Sequence, residues 1–152
     1  MPEAPSPARV LAQYLIDQGE ATEATKGSSG EWHVYVGTRD KKASSQLVIT
    51  DLDAITSAPG TRTGRVNTKP RVRVTSYHAN RPKGYLKINR LQGFIDGMKD
   101  VTITVAGSTF TKLNAIRTTG TVHMGKMDQK LHRHHVECTV QLPQPAPVPP
   151  PA

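Results

Sequence analysis

The chain has 152 residues, 36% hydrophobic and 5% aromatic, and its 20 Lys and Arg against 12 Asp and Glu give a formal net charge of +8. That length fits one domain with a modest core, and a core of that kind often leans on partner subunits for burial. Cys138 is the single cysteine, which excludes an internal disulfide framework, and neither a signal-peptide pattern after Met1 nor an apolar run near the ~20 residues of a membrane span is present, so we expect a soluble product made in the cytosol.

Residues 1–5 are read as a flexible N-terminus. Ser6-Pro7 offers an N-cap followed by Pro, and Val10, Leu11, Tyr14 and Leu15 recur at helical spacing until Gly19, which predicts a first helix. Glu20 to Gly30 is small and polar, as a connector should be. Trp32, Val34 and Val36 alternate with His33, Tyr35 and Gly37 and predict a strand; Leu47-Val48-Ile49 predicts a second, expected to pair antiparallel with the first. From Asp51 to Pro70 no periodicity survives. A structureless stretch longer than ~12 to 15 residues inside a domain is usually functional, so residues 51–70 are read as a long mobile loop and a contact element.

Arg71-Val72-Arg73-Val74-Thr75-Ser76-Tyr77 alternates cleanly. Val72 and Val74 should face the core while Arg71, Arg73, Thr75 and Tyr77 share the other face. After a turn at residues 80–84, Ile88, Leu91, Ile95 and Met98 recur at helical spacing and predict a second helix. Gly93 and Gly97 each cost that helix about 1 kcal/mol relative to alanine, and we read them as marking close packing on a sheet. Val101, Ile103 and Val105, a turn at Ala106-Gly107-Ser108, and Phe110 to Arg117 predict a hairpin. Residues 120–129 read as irregular, and Leu131 to Leu142 as a last strand with His132, His134, Val136, Cys138, Val140 and Leu142 on one face. Residues 143–152 are mostly proline and are read as a disordered, extended tail.

Charge is distributed unevenly along this plan. Between Ala54 and Ile95 lie Arg62, Arg65, Lys69, Arg71, Arg73, Arg81, Lys83, Lys87 and Arg90 and no Asp or Glu; the rest of the chain, 11 basic residues against 12 acidic, is nearly neutral. A surplus this local implies a surface facing something negative. Catalytic chemistry is thin by comparison. His123, His132, His134 and Cys138 are nitrogen and sulfur donors in a spacing that matches no standard zinc pattern, so no metal is expected. Residues 60–65 lack the Gly-Lys-Ser/Thr ending of a phosphate-binding loop, and Cys138 has no base and orienter beside it, so neither a cofactor nor enzyme activity is expected.

The order of these elements resembles a known family. Trp32-His33-Val34-Tyr35-Val36-Gly37, then Val48-Ile49-Thr50-Asp51 leading to a long glycine-containing loop, then Pro70-Arg71-Val72-Arg73-Val74, then Gly84 and Lys87 opening an amphipathic helix, looks like the tail terminator proteins of long-tailed bacteriophages. The resemblance spans residues 8–142 and is one of element order rather than of a catalytic signature. It implies an α+β fold, a mixed, mainly antiparallel sheet with two helices packed on one face and a long loop between strands, within one domain over residues 6–142.

The resemblance further implies a structural virion protein. Such a subunit forms a ring, in the family a hexamer, on the neck-proximal end of the tail tube; it is assembled in the host cytoplasm, stops tube polymerisation and presents the attachment surface for the head-side connector or head-closure protein, while genomic DNA passes through its lumen. On that reading Arg62, Arg65, Lys69, Arg71, Arg73 and Tyr77 belong to subunit or tube interfaces, and Arg39, Lys41 and Lys42 face the lumen or DNA. Strongly positive channel walls would hold the genome by phosphate contacts. The basic segment is therefore expected to pair with Glu20, Glu23, Asp51, Asp53, Asp96 and Asp100 of neighbouring subunits. The proline-rich tail and the low acidity of the middle depart from many relatives. Two other readings use the same features: a head-closure protein or other neck component, and a basic nucleic-acid-binding module, for which Tyr77 and Tyr85 supply few stacking surfaces.

Overall fold

Ser6 and Asn80 start the two helices by the same device. In the computed structural model, which describes residues 6–23, 32–37, 45–52, 55–56, 68–105, 107–126 and 131–141, the Ser6 hydroxyl accepts from the Arg9 amide at the head of α1 (Pro7–Asp17). The Asn80 side chain accepts from the Lys83 amide at the head of α2 (Arg81–Asp96). Each cap satisfies an amide that the helix itself leaves without a carbonyl, and a proline in each first turn removes another such donor. α1 therefore begins where the sequence predicts, whereas α2 begins at Arg81, within the stretch 80–84 expected to be a turn, because the Asn80 cap and Pro82 let the first turn form there. α1 buries Val10, Leu11, Tyr14 and Leu15, and α2 buries Ile88, Leu91 and Ile95, as their spacing requires. Neither is long and apolar enough to cross a membrane.

Strands β1 (Thr22–Glu23), β2 (His33–Val36), β3 (Ser45–Asp51), β6 (Arg71–His78), β7 (Val101–Val105), β8 (Ser108–Arg117), β9 (Val122–Lys126) and β10 (His132–Gln141) form one eight-stranded sheet. Its order is β1-β2-β3-β6-β10-β8-β7, with β9 on β10; β4 (Ile55–Thr56) and β5 (Thr68–Lys69) pair with each other as a separate antiparallel ribbon. The fold is thus α+β with a mixed sheet. α1 packs on β2 and β3 and also on β7, although β6, β10 and β8 lie between β3 and β7 in the sheet order. One helix can touch strands so far apart only because the sheet curls. Residues of both helices and of the strands meet in a single core, where Leu11, Leu47, Ile49, Val72, Val74, Leu91, Leu113 and Val136 have no exposed surface.

Several sequence expectations are corrected. β2 and β3 run parallel, with His33 beside Gln46 and Val34 beside Leu47, not antiparallel. Eight residues, 37–44, separate them, fewer than a parallel crossover usually takes, and the apolar residues of both strands suit either direction. Residues 122–126, expected to be irregular, form β9; four of the five are exposed, so no apolar alternation announced the strand. Thr22–Glu23, within the expected connector, pairs with β2. Gly93 does not pack on the sheet: a methyl group there would meet nothing within 4 Å. Gly97 caps the C-terminus of α2 instead. The glycine that packs closely is Gly84, where an added Cβ would lie 3.1 Å from His134 Nδ1 and 3.4 Å from Ser76 Oγ. Residues 1–5, the proline-rich tail and most of the 51–70 loop lie outside the described residues.

Candidate functional site

The described side chains of the basic segment from Arg71 onward are divided by the fold among three places. The first is the face of β6 turned away from the core. Strand alternation puts Arg71, Arg73, Thr75 and Tyr77 there, as expected, and the register with β10 sets Glu137 beside Arg73, Thr139 beside Arg71 and Arg133 beside Tyr77. Both arginines turn to Glu137. Arg73 Nε and Nη2 donate to Glu137 Oε1 at 3.1 and 2.7 Å, and Arg71 Nη2 reaches Oε2 at 3.5 Å. Burial opposes ionisation of Glu137, but the hydrogen bond and charge of Arg73, with the charges of His135 and Arg71, outweigh it and hold the carboxyl below its usual value. The carboxylate these arginines meet is therefore their own chain's rather than one of those expected from a neighbour.

The second place is the middle of α2. Lys87 Nζ and Arg90 reach back to Glu20, just past the end of α1, with contacts of 3.0 and 2.8 Å. Glu20 is 7% exposed. Burial again raises its pKa, and the hydrogen bonds and charges of Arg90 and Lys87 bring it below the usual value. Lys87 also lies over the Trp32 ring at 5.6 Å, and Trp32 packs on His78 with ring centres 5.3 Å apart. Trp32 has φ 62, a conformation that a bulky residue adopts only when its surroundings hold it. Glu20, Trp32, Lys83, Leu86, Lys87 and Arg90 line a shallow depression here.

The third is the first turn of α2, beside β9. Arg81, Pro82 and Tyr85 face Thr121, His123 and His134 across a cleft of about 380 Å³. Pairing of β9 with β10 brings His123 opposite His134, and its ring also approaches that of His132; the centres are 4.7 and 5.6 Å apart. Burial, then the charges of His123, Arg81 and His132, push His134 down to about 4. Among the described residues no group of three or more His, Cys, Asp or Glu side chains is arranged to hold a metal ion. Of the donors singled out in the sequence, the fold gathers His123, His132 and His134 and leaves Cys138 buried in the apolar core, its thiol pushed up to about 12.

Arg39, Lys41, Lys42, Arg62 and Arg65 lie outside the described residues, and Lys69 is placed by its backbone on β5. Of the other acids expected to serve neighbours, Asp96 takes Arg117 at 3.1 Å and Asp51 accepts from the Ala8 amide at the start of α1. Sequence reasoning missed Glu137 as a partner for the arginines. The signal that could have found it is the alternation itself, which places Glu137 on the face opposite Cys138. No protein-family model matches the chain, and no curated protein matches it in sequence.

Proposed function

We propose that the protein is a ring-forming structural subunit that caps a phage-type tail tube, stopping its polymerisation and presenting the surface to which the head-side connector attaches. The observation that carries this reading is the division of the basic segment. Arg71 and Arg73 are taken by Glu137, and Lys87 and Arg90 by Glu20, on separate elements. A groove for a nucleic-acid strand needs cations aligned and available to phosphates; here four of them already share two carboxylates of their own chain. Uncovered apolar side chains add support. Leu86 on α2, Ile116 on β8, and Val122 and Met124 on β9 are exposed, and neighbouring copies in a ring would cover such residues. The reading places both helices on one face of the sheet, in line with the single core they share, and leaves the other face and residues 51–70 for contact with neighbours and tube.

A concentration series by native mass measurement tests assembly: growth from monomer to a closed ring supports the reading, and a monomer at every concentration that binds DNA tightly at moderate salt opposes it. Removal of the gene from its phage separates the roles. Over-long tails indicate a terminator, whereas tails of normal length that fail to join heads indicate another neck component.

A further inference from the structure

Residues 143–152 hold six prolines in ten positions and no charge. A proline fixes its own φ and pushes the residue before it to extended backbone, so Leu142, Gln144, Ala146 and Val148 are biased together with the prolines that follow them. Such a stretch favours the polyproline II helix, whose carbonyls have no partners of their own. What recognises it is a groove walled by rings, with side-chain donors for those carbonyls. The cleft between the first turn of α2 and β9 has that character. Tyr85, Pro82 and His123 give it ring walls, and Tyr85 is 46% exposed, so its ring is open to a ligand. His134, buried and flanked by the rings of Tyr85 and His123, lines it from β10. The Thr121 hydroxyl accepts from Gln92 Nε2 and keeps its own proton to donate. Arg81 brings guanidinium N–H groups to the rim, and no carboxylate among the lining residues takes them.

We propose that this cleft docks the proline-rich stretch, residues 143–152, of another copy of this chain, packed on Tyr85 and His123 with its carbonyls accepting from Arg81 and Thr121. Geometry favours another copy over the chain's own stretch. His134 lies at the cleft, and Gln141 is seven residues further along β10, roughly 24 Å away at ~3.4 Å per strand residue. The proline-rich stretch follows from that far end, and a backbone restricted in this way resists the reversal needed to run back along the strand. Extended at ~3.1 Å per residue it spans about 31 Å, enough to cross to a neighbour. The contact links copies whatever they assemble on, so it does not rest on the tail-tube reading.

The test uses the full chain with Pro→Ser at 143, 145, 147, 149, 150 and 151, which keeps both helices and the sheet and removes the occupant. Titration with a synthetic peptide of residues 142–152, followed by amide and histidine NMR signals, should give saturable shifts confined to residues 81–85, 121–123 and 134. The same peptide with serine for proline should give none. Adding Tyr85→Ala should weaken binding by about tenfold or more, as loss of an aromatic anchor does. Tyr85→Phe keeps the ring and should stay within about threefold, as should Leu86→Ala, which removes an exposed side chain outside the cleft. Tyr85 and Leu86 are both exposed, so these variants should fold. In the unaltered chain the cleft signals should move toward their peptide-bound positions as protein concentration rises. Absence of saturation, shifts elsewhere on the surface, equal losses for Tyr85→Ala and Leu86→Ala, or occupancy independent of concentration would overturn the proposal. So would binding of a decaproline peptide but not of residues 142–152, which would assign the cleft to a proline-rich segment of another protein.

Discussion

Two glycines in α2 should respond to the same substitution with opposite signs. Gly93→Ala adds a methyl group to an exposed helix position with nothing within 4 Å, so only the backbone gain remains, and the variant should be more stable by about 0.5–1 kcal/mol. Gly84→Ala has the same backbone gain, but its methyl would sit 3.1 Å from His134 Nδ1 and 3.4 Å from Ser76 Oγ. His134 cannot yield easily. It is 1% exposed and held between the rings of Tyr85 and His123, with ring centres 6.1 and 4.7 Å away. Overpacking of this kind costs about 1–3 kcal/mol, which exceeds the backbone gain, so a net loss of about 1–2 kcal/mol is expected. Urea unfolding of the two variants beside the parent reads the difference directly. In thermal unfolding, each kcal/mol should move Tm by about 2–4 °C in a chain of this length. Two stabilised variants would refute the packing of α2 on β6 and β10 through Gly84; two destabilised ones would refute the exposure of Gly93.

Acid should destabilise the protein before its carboxylates titrate. His134, held near 4, stays neutral while the unfolded chain takes up a proton below about 6.5, so stability falls by about 1 kcal/mol per pH unit between those values. His123 and His135 shift in the same direction, and Glu20 and Glu137, both depressed, lose their contributions as pH falls further through their folded values. A His134→Gln variant should show a flatter dependence over pH 6.5 to 4; an unchanged slope would be contrary to its burial. Arg73→Ala should cost about 1–3 kcal/mol and raise the Glu137 pKa in an NMR titration, whereas Arg71→Ala, with its one longer contact, should cost less than 1. The reverse order would contradict the geometry. Cys138 should react with a thiol reagent only at the rate at which the core opens, and fast labelling of the native protein would show that β10 is not buried as described.

The helices, the last hairpin and the alternation of β6 were legible in the chain because each is a local pattern. Ser6 caps the amide three residues on, and Val72 and Val74 alternate with Arg71 and Arg73 whatever lies beside them, although the cap at Asn80 was read as part of a turn. Strand partners were not legible in the same way. β2 and β3 carry apolar residues that suit either direction, and β9 carries almost none facing inward, so pairing had to be decided by what the rest of the sheet left open. The charge surplus shows the division most plainly. Composition alone places nine basic residues in one acid-free stretch, but Arg73 meets Glu137 across 64 residues and Lys87 meets Glu20 across 67. A carboxylate that distant in sequence becomes a partner only when a strand register or a helix packing brings it within about 3 Å, because electrostatic pairing depends on separation in space and burial. The sequence by itself determined that two amphipathic helices form and which residues seek the core; the tertiary structure decided which charges are already paired and that two histidines, His123 and His134, meet Arg81 at one cleft.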